Sequence, residues 1–302
     1  MLRPYRPSDL PAVTRFIGEC WQRDNKSYHP GDFVHWMSNG YLGERLEHYF
    51  HVAEEDGQLL AAVELDTESG SYAPVIHADK RGSAWEAELH RACTVVMRER
   101  LKSSEKRALT VNIAADDKAA RAYLEQLEFK EKSKEDIVAK RSLETVPEAH
   151  LPEGFSVRSV AGEHEVQLVA DVHNGAFGST WTEASYLKVM RTPGFDPERE
   201  LVVVAPDGRF AAFVVIWLDP VSRSGLFEPV GCHSDFRRRG LSKALMLNAM
   251  TRMKKAGMKT AIVGYRVGNE AALNLYSSVG FNPYFETVDY VLELNDKSSP
   301  DD

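Results

Sequence analysis

One order of elements is written twice along this chain, and that repetition constrains the fold more than any other feature. Each half opens on a short extended stretch followed by an apolar-periodic helix. The first passes from Leu2-Arg3-Pro4-Tyr5 through a cap signal at Ser8-Asp9-Leu10 to Val13, Phe16, Ile17 and Trp21. The second passes from Val157-Arg158-Ser159-Val160 to Val166, Val169, Val172 and Phe177. Next comes a strand pair around an Asp-Gly turn. His51-Val52-Ala53 and Ala61-Ala62-Val63 flank Asp56-Gly57, and Leu201–Val204 and Ala211–Phe213 flank Asp207-Gly208. Buried-strand patterns follow at Ala108–Asn112 and Thr260–Gly264, each leading into a helix, Asp117–Tyr123 and Asn269–Tyr276. The two helices end at Leu127-Glu128-Phe129 and Val279-Gly280-Phe281. A last strand then appears in each half, at Ile137-Val138-Ala139 and Tyr290-Val291-Leu292.

Strands alternating with helices imply a mixed α/β sheet, and two copies imply a duplicated domain. Between them, Pro147, Pro152 and Gly154 interrupt a stretch without hydrophobic periodicity, which is a linker signature. The expected division is residues 1–147, residues 153–295 and a disordered tail at 296–302.

Composition narrows the function classes. Of 302 residues, 43% are hydrophobic and 27% charged, the balance of a globular domain. The formal net charge of −8 lacks the positive field that phosphate counterion release requires, so no nucleic-acid partner is expected. Three scattered cysteines, Cys20, Cys93 and Cys232, form no CxxC pair. Neither structural zinc nor a disulfide framework is expected, and a reducing compartment fits. The ten histidines show no HExxH pairing, so no metal site is expected. The start of the chain lacks a signal-peptide core. The most apolar run, Ala211–Leu218, is too short to cross a bilayer. A cytoplasmic protein without a membrane partner, monomer or homodimer, is the expectation.

The chemistry concentrates in the second half. A strand, Leu226-Phe227-Glu228-Pro229-Val230-Gly231-Cys232-His233, runs through Ser234-Asp235-Phe236 into Arg237-Arg238-Arg239-Gly240-Leu241-Ser242-Lys243 and a helix. A helix start leaves backbone N–H groups without intrahelical acceptors and adds the positive end of the macrodipole. Gly240 allows close approach to the main chain, and three arginines raise the local potential. A diphosphate suits such a turn. The spacing fits neither a Walker phosphate loop nor a dinucleotide GxGxxG. Taken alone, the turn also reads as a solvated basic helix cap. About thirty residues on, Asn269-x-x-Ala272-x-x-Leu275-Tyr276-x-x-x-Gly280-Phe281 follows a buried-strand pattern.

With this pair of elements, residues 155–294 resemble the GCN5-related N-acetyltransferase (GNAT) superfamily, and the whole chain resembles its tandem members. That resemblance implies two GNAT-like domains, each a mixed, mostly antiparallel sheet flanked by helices. It also implies acetyl-CoA as co-substrate and an amine acceptor. The family pattern of Gln/Arg-x-x-Gly-x-Gly/Ala is met by Arg237, Gly240 and Ser242, with serine a compact departure. By resemblance, Arg237, Arg238, Arg239, Gly240, Leu241, Ser242 and Lys243 take the pyrophosphate. Val230, Gly231 and Cys232 pair with the pantetheine amides. Asn269 meets the pantetheine arm. Tyr276 lies beside the sulfur as general acid and cofactor contact, though a tyrosine packed under its helix fits the pattern too. Glu228 is the candidate base, or else a residue that orients substrate. His233 serves the loop rather than the chemistry. The Cys232 N–H is the candidate oxyanion donor.

The first half has lost this pattern. Asp117 stands at the Asn269 position, Leu124 at the Tyr276 position and Glu128 at the Gly280 position. His77–Ala84 keeps Arg81-Gly82 without the full spacing. This half is therefore expected to be non-catalytic. Acceptor-lining candidates are His173, Asn174, Phe177, Trp181 and Tyr186, which also suit ordinary packing. Two other classes remain, an acyl-CoA sensor without turnover and an aminoacyl-tRNA-dependent peptidyltransferase of related tandem fold, which the acidic charge disfavours; protein acetylation is the runner-up within the enzyme class.

Overall fold

The computed structural model describes residues 2–23, 26–40 and 45–294; the expected tail at 296–302 lies outside them. The first half contains β1 (Leu2–Pro4), α1 (Leu10–Gln22), α2 (Pro30–His35), α3 (Leu46–Tyr49), β2 (Phe50–Glu55), β3 (Gln58–Asp66), β4 (Ser71–Ile76), α4 (Ala84–Leu101), β5 (Ala108–Ala114), α5 (Lys118–Gln126) and β6 (Lys130–Ser142). The second contains β7 (Ser156–Ser159), α6 (Val166–Phe177), α7 (Glu183–Met190), β8 (Glu200–Val204), β9 (Phe210–Asp219), β10 (Ser224–Cys232), α8 (Leu241–Lys255), β11 (Thr260–Arg266), α9 (Glu270–Ser278) and β12 (Asn282–Glu293). None of the described helices is long and apolar enough to cross a membrane.

These elements assemble into two compact units. One holds Met1–Tyr28, Arg45–Ile137 and Phe285–Asp302; the other holds His29–Glu44 and Val138–Tyr284. The units depart from a single cut near residue 150 because the last strands are exchanged. In the first unit the strand order is β1-β2-β3-β4-β5-β12; in the second it is β7-β8-β9-β10-β11-β6. Tyr290 of β12 thus pairs antiparallel with Val111 of β5. The end of β6 lies beside β11, and the Leu143 N–H donates to the Lys259 carbonyl.

Within each unit the first four strands run antiparallel and the fourth pairs in parallel with the fifth, as β4 with β5 and β10 with β11. Parallel neighbours require a crossover, which α4 and α8 supply. The β2–β3 turn places Asp56 and Gly57 at φ +50° and +77°, the left-handed pair that a tight hairpin demands. In the first unit Cys93, Met97 and Leu124 pack with Leu109, Val111 and Tyr290 in one core. In the second, Val169, Val172 and Tyr186 pack with Val202 and Phe213. Cys20 and Cys93 are buried and Cys232 is half-buried.

Candidate active site

The strand β10 stops pairing with β11 part-way along. Their parallel ladder runs from Ser224↔Thr260 to Phe227↔Val263. On its other edge β10 shifts register between Phe227 and Val230, then continues antiparallel through Val230↔Val214, Gly231↔Phe213 and Cys232↔Ala212. A bulge of this kind bends a strand and re-aims its side chains. The His233 N–H donates to the Ala211 carbonyl, towards β9. Backbone groups alternate sides along a strand, so the N–H groups of Val230 and Cys232 point away from β9, into the opening beside β11.

The helix α8 begins at the head of this opening. Its first helical bond runs from the Ala244 N–H to the Gly240 carbonyl, so the amides of Leu241, Ser242 and Lys243 lie in the first turn, ahead of any intrahelical acceptor. Gly240 has φ +76°, and a Cβ built there would meet nothing within 4 Å. The turn is therefore both left-handed and open, which is the case for glycine here. Arg238 holds a second left-handed position at φ +63°.

The arginines are deployed differently from one another. The Arg237 guanidinium donates to the carbonyls of Ala176 at 2.7 Å and Cys232 at 3.4 Å. Arg239 lies over the Phe236 ring, as does Arg209, which pairs with Asp235 at 2.9 Å. Arg237 thus ties the turn to β10 and α6 while keeping its charge nearby. Asn269 caps α9, its Oδ1 accepting from the Ala272 N–H at 3.1 Å, so a helix cap occupies the side chain expected on a pantetheine arm. His233 holds the loop: its Nδ1 accepts from the Asp235 N–H at 3.2 Å. Gly231 is buried where a Cβ would come within 2.2 Å of Phe213. Burial pushes the Cys232 thiol up, partly offset by a hydrogen bond with Ser242.

Glu228 lies near enough to Tyr276 for its charge to act on the phenol. Burial, the negative charge of Glu228 and neighbouring Tyr265 together push the Tyr276 phenol well above its ordinary value. It therefore stays protonated at neutral pH. The Glu228 backbone is fixed by the Trp217 Nε1–H, which donates to its carbonyl at 2.6 Å. Its carboxylate stays about one-third exposed, 3.8 Å from His35 Nε2.

His35 was not foreseen. It ends α2, which belongs to the second unit although it is written in the first half. The signal was legible: His29-Pro30-Gly31-Asp32 pairs a capping residue with proline at the first helical position and an acid two residues later. The proposed acceptor lining is largely core instead. His173 and Tyr186 are buried and share the Glu200 carboxylate at 3.1 and 2.9 Å, and Asn174 braces Trp181. Only Phe177 of that group is exposed, at 56%.

The first unit repeats the turn and fills it. His77 Nδ1 accepts from the Asp79 N–H at 3.2 Å, matching His233 and Asp235. Counted from these histidines, Glu86 falls where Ser242 stands. The Glu86 carboxylate is buried, accepts from the Gly82 N–H at 2.5 Å and pairs with Arg81, which also holds Asp117. An internal anion thus sits at the start of α4. Leu124 is fully buried at the position of Tyr276.

A family model described as the acetyltransferase (GNAT) family matches residues 166–281. Residues 166–281 thus carry a GNAT-family domain. Over 155 residues it is 31% identical to a mycothiol acetyltransferase of Pseudarthrobacter chlorophenolicus, covering 48% of each chain. Over 89 residues it is 32% identical to the ribosomal protein bS18-alanine N-acetyltransferase of Escherichia coli, covering 28% of this chain and 59% of that one. The chain thus spans about half the length of these curated relatives. Two solved structures share the fold of the whole chain at a TM-score of 0.66. They are a GNAT acetyltransferase from Sphaerobacter thermophilus (20% identical, 98% and 96% covered) and a tandem GNAT protein from the clavulanic acid pathway (14% identical, 99% of each).

Proposed function

We propose that this chain is an N-acetyltransferase that moves an acetyl group from acetyl-CoA to a primary amine of a small-molecule acceptor by direct attack in a ternary complex. The observation that carries the proposal is the end of the β10–β11 ladder at Phe227, beside Glu228, together with the open left-handed turn at Gly240 that starts α8. The residues fit coenzyme A: the open Gly240 turn and the amides of Leu241, Ser242 and Lys243 take the diphosphate, with Arg238 and Arg239 alongside. The outward N–H and carbonyl groups of Val230 take an amide of the extended chain as a sheet edge takes a strand. The bound co-substrate supplies an activated acyl group on a thiolate leaving group.

This chain's residues then divide the proton work. The partly exposed Glu228 carboxylate accepts a proton from the incoming ammonium, directly or through solvent. The Cys232 N–H donates to the oxygen that gains negative charge. Tyr276, kept protonated, donates to the departing sulfur. In the first unit, Glu86 fills the helix start and Leu124 replaces the acid, so one half carries the site.

The test is a panel of amines incubated with acetyl-CoA, read by release of free thiol. The panel includes a mycothiol precursor and a peptide with the alanine of ribosomal protein bS18, since the two relatives are named for mycothiol and for that alanine. Turnover of a small amine supports the reading. Turnover confined to the peptide moves the chain to protein acetylation. Tight acetyl-CoA binding with no thiol released from any amine makes it a sensor.

A further inference from the structure

The acceptor side of this site carries a residue from the other half of the sequence. Helix α2 is docked into the second unit at three points. His29 Nε2 and Ser224 Oγ are 2.9 Å apart, at the start of β10. At Gly31 a Cβ would come within 2.3 Å of the Trp217 Cβ, so only glycine permits this approach. His35 stands edge-on to Trp217, with ring centroids 6.1 Å apart and planes at 72°. The same indole donates to the Glu228 carbonyl. Trp217 therefore fixes both the imidazole of His35 and the backbone of Glu228. Their reactive atoms, Nε2 and Oε1, face each other at 3.8 Å, slightly beyond a hydrogen bond.

We propose that His35 is a positioning residue for Glu228: its imidazole holds the carboxylate in the orientation that receives the acceptor's proton, so α2 forms part of the acceptor pocket. This rests on the N-acetyltransferase reading. Burial pushes the His35 imidazole down to about 4, with His173 adding to the effect, so at neutral pH it is an uncharged partner. An uncharged imidazole leaves the carboxylate its negative charge and its basicity. A cation there would keep the charge but lower the basicity. Among the described residues, titratable groups acting on the site include His173 of α6, acting on His35, and Glu228 itself, acting on Tyr276 of α9.

The experiment uses the full chain with His35→Ala and His35→Gln, the second keeping a neutral hydrogen-bonding group. Turnover is read with the amine that the panel selects, acetyl-CoA affinity by calorimetry, and the Glu228 carboxyl by carbon NMR titration, assigned with Glu228→Gln. The expected result is a fall in kcat/KM for the amine of about tenfold or more in His35→Ala, the scale of a small misplacement at a reacting centre. Partial recovery is expected in His35→Gln, with acetyl-CoA affinity unchanged and the Glu228 titration midpoint moved in both variants. An unmoved midpoint in His35→Gln overturns the proposal whatever the turnover. A moved midpoint in a chain that acetylates no amine leaves the positioning contact standing and ends the N-acetyltransferase reading instead.

Discussion

Replacing Ser242 by glutamate copies into the second unit the feature that fills the first. Glu86 occupies the equivalent place, with one bond from the Gly82 amide at 2.5 Å and an ion pair to Arg81. A hydrogen bond to a charged group contributes about 1.5–3 kcal/mol. Only the backbone share transfers directly, because Arg237 is engaged with the carbonyls of Ala176 and Cys232 rather than with a side chain. A diphosphate must displace that carboxylate before it seats. At about 1.4 kcal/mol per tenfold, the backbone share alone weakens acetyl-CoA binding roughly 10- to 100-fold. Calorimetric titration of the Ser242→Glu chain measures this. Ser242→Gln, similar in size without the charge, is expected to lose much less, and thermal melting checks that both fold. Acetyl-CoA bound by Ser242→Glu within about threefold of the natural chain refutes the assignment of the α8 turn as the diphosphate site.

Other outcomes follow from the same geometry. Tyr276→Phe is expected to lower kcat about 10²- to 10⁴-fold with acetyl-CoA affinity nearly unchanged; equal turnover removes the acid role. Titration is expected to give one acetyl-CoA per chain, and two sites of similar strength contradict the filling of the α4 turn by Glu86. Burial pushes His29, His35, His51 and His90 down to about 4 and Asp32 up to about 7. Between pH 6.5 and 4 the unfolded chain takes up the imidazole protons first, so stability present above 6.5 is lost as pH falls. Asp32, protonated when folded, works the other way. Thermal melts across this range are expected to fall towards acid, and to fall more steeply in Asp32→Asn. A flat profile contradicts the burial of these groups.

The elements that were legible in the sequence share one property: their signals are local. The Asp-Gly hairpins, the periodic faces of α1 and α6 and the paired motif helices each depend on residues within a dozen positions of one another. The start of α8 was legible for the same reason, since a glycine at a left-handed position and the first-turn amides are properties of six residues. Side-chain engagement was not legible. Nothing local says that Arg237 turns to the carbonyls of Ala176 and Cys232, or that His173 and Tyr186 share Glu200 in the core. Asn269 illustrates the competition: the type suits a ligand contact, but an asparagine one residue before a helix is drawn to cap it. The exchange of last strands was hidden for a further reason. β6 and β12 satisfy the strand pattern wherever they pair, because alternation specifies a face and says nothing of the partner strand.

That exchange explains why a half whose helix turn is filled by Glu86 stays in the chain. The second unit draws α2 and the end of β6 from the first half, and the first unit draws β12 from the second. Leu124 and Glu86 stand in the first unit where Tyr276 and Ser242 stand in the second, and the strands pair alike in both. Deleting the half would remove β6 from beside β11 and expose the row of backbone groups it covers there. It would also remove His29 from Ser224 and the glycine contact on Trp217, which fixes Glu228. A fragment of residues 153–302 is therefore expected to aggregate or bind no acetyl-CoA, and one of 1–152 to lack the strand that pairs with β5. Mixing the two fragments supplies every strand again and is expected to restore binding in part. A 153–302 fragment that melts cooperatively and binds acetyl-CoA as tightly as the full chain would show that the exchanged strand and α2 are dispensable, and the account of why the halves remain joined would fail with it.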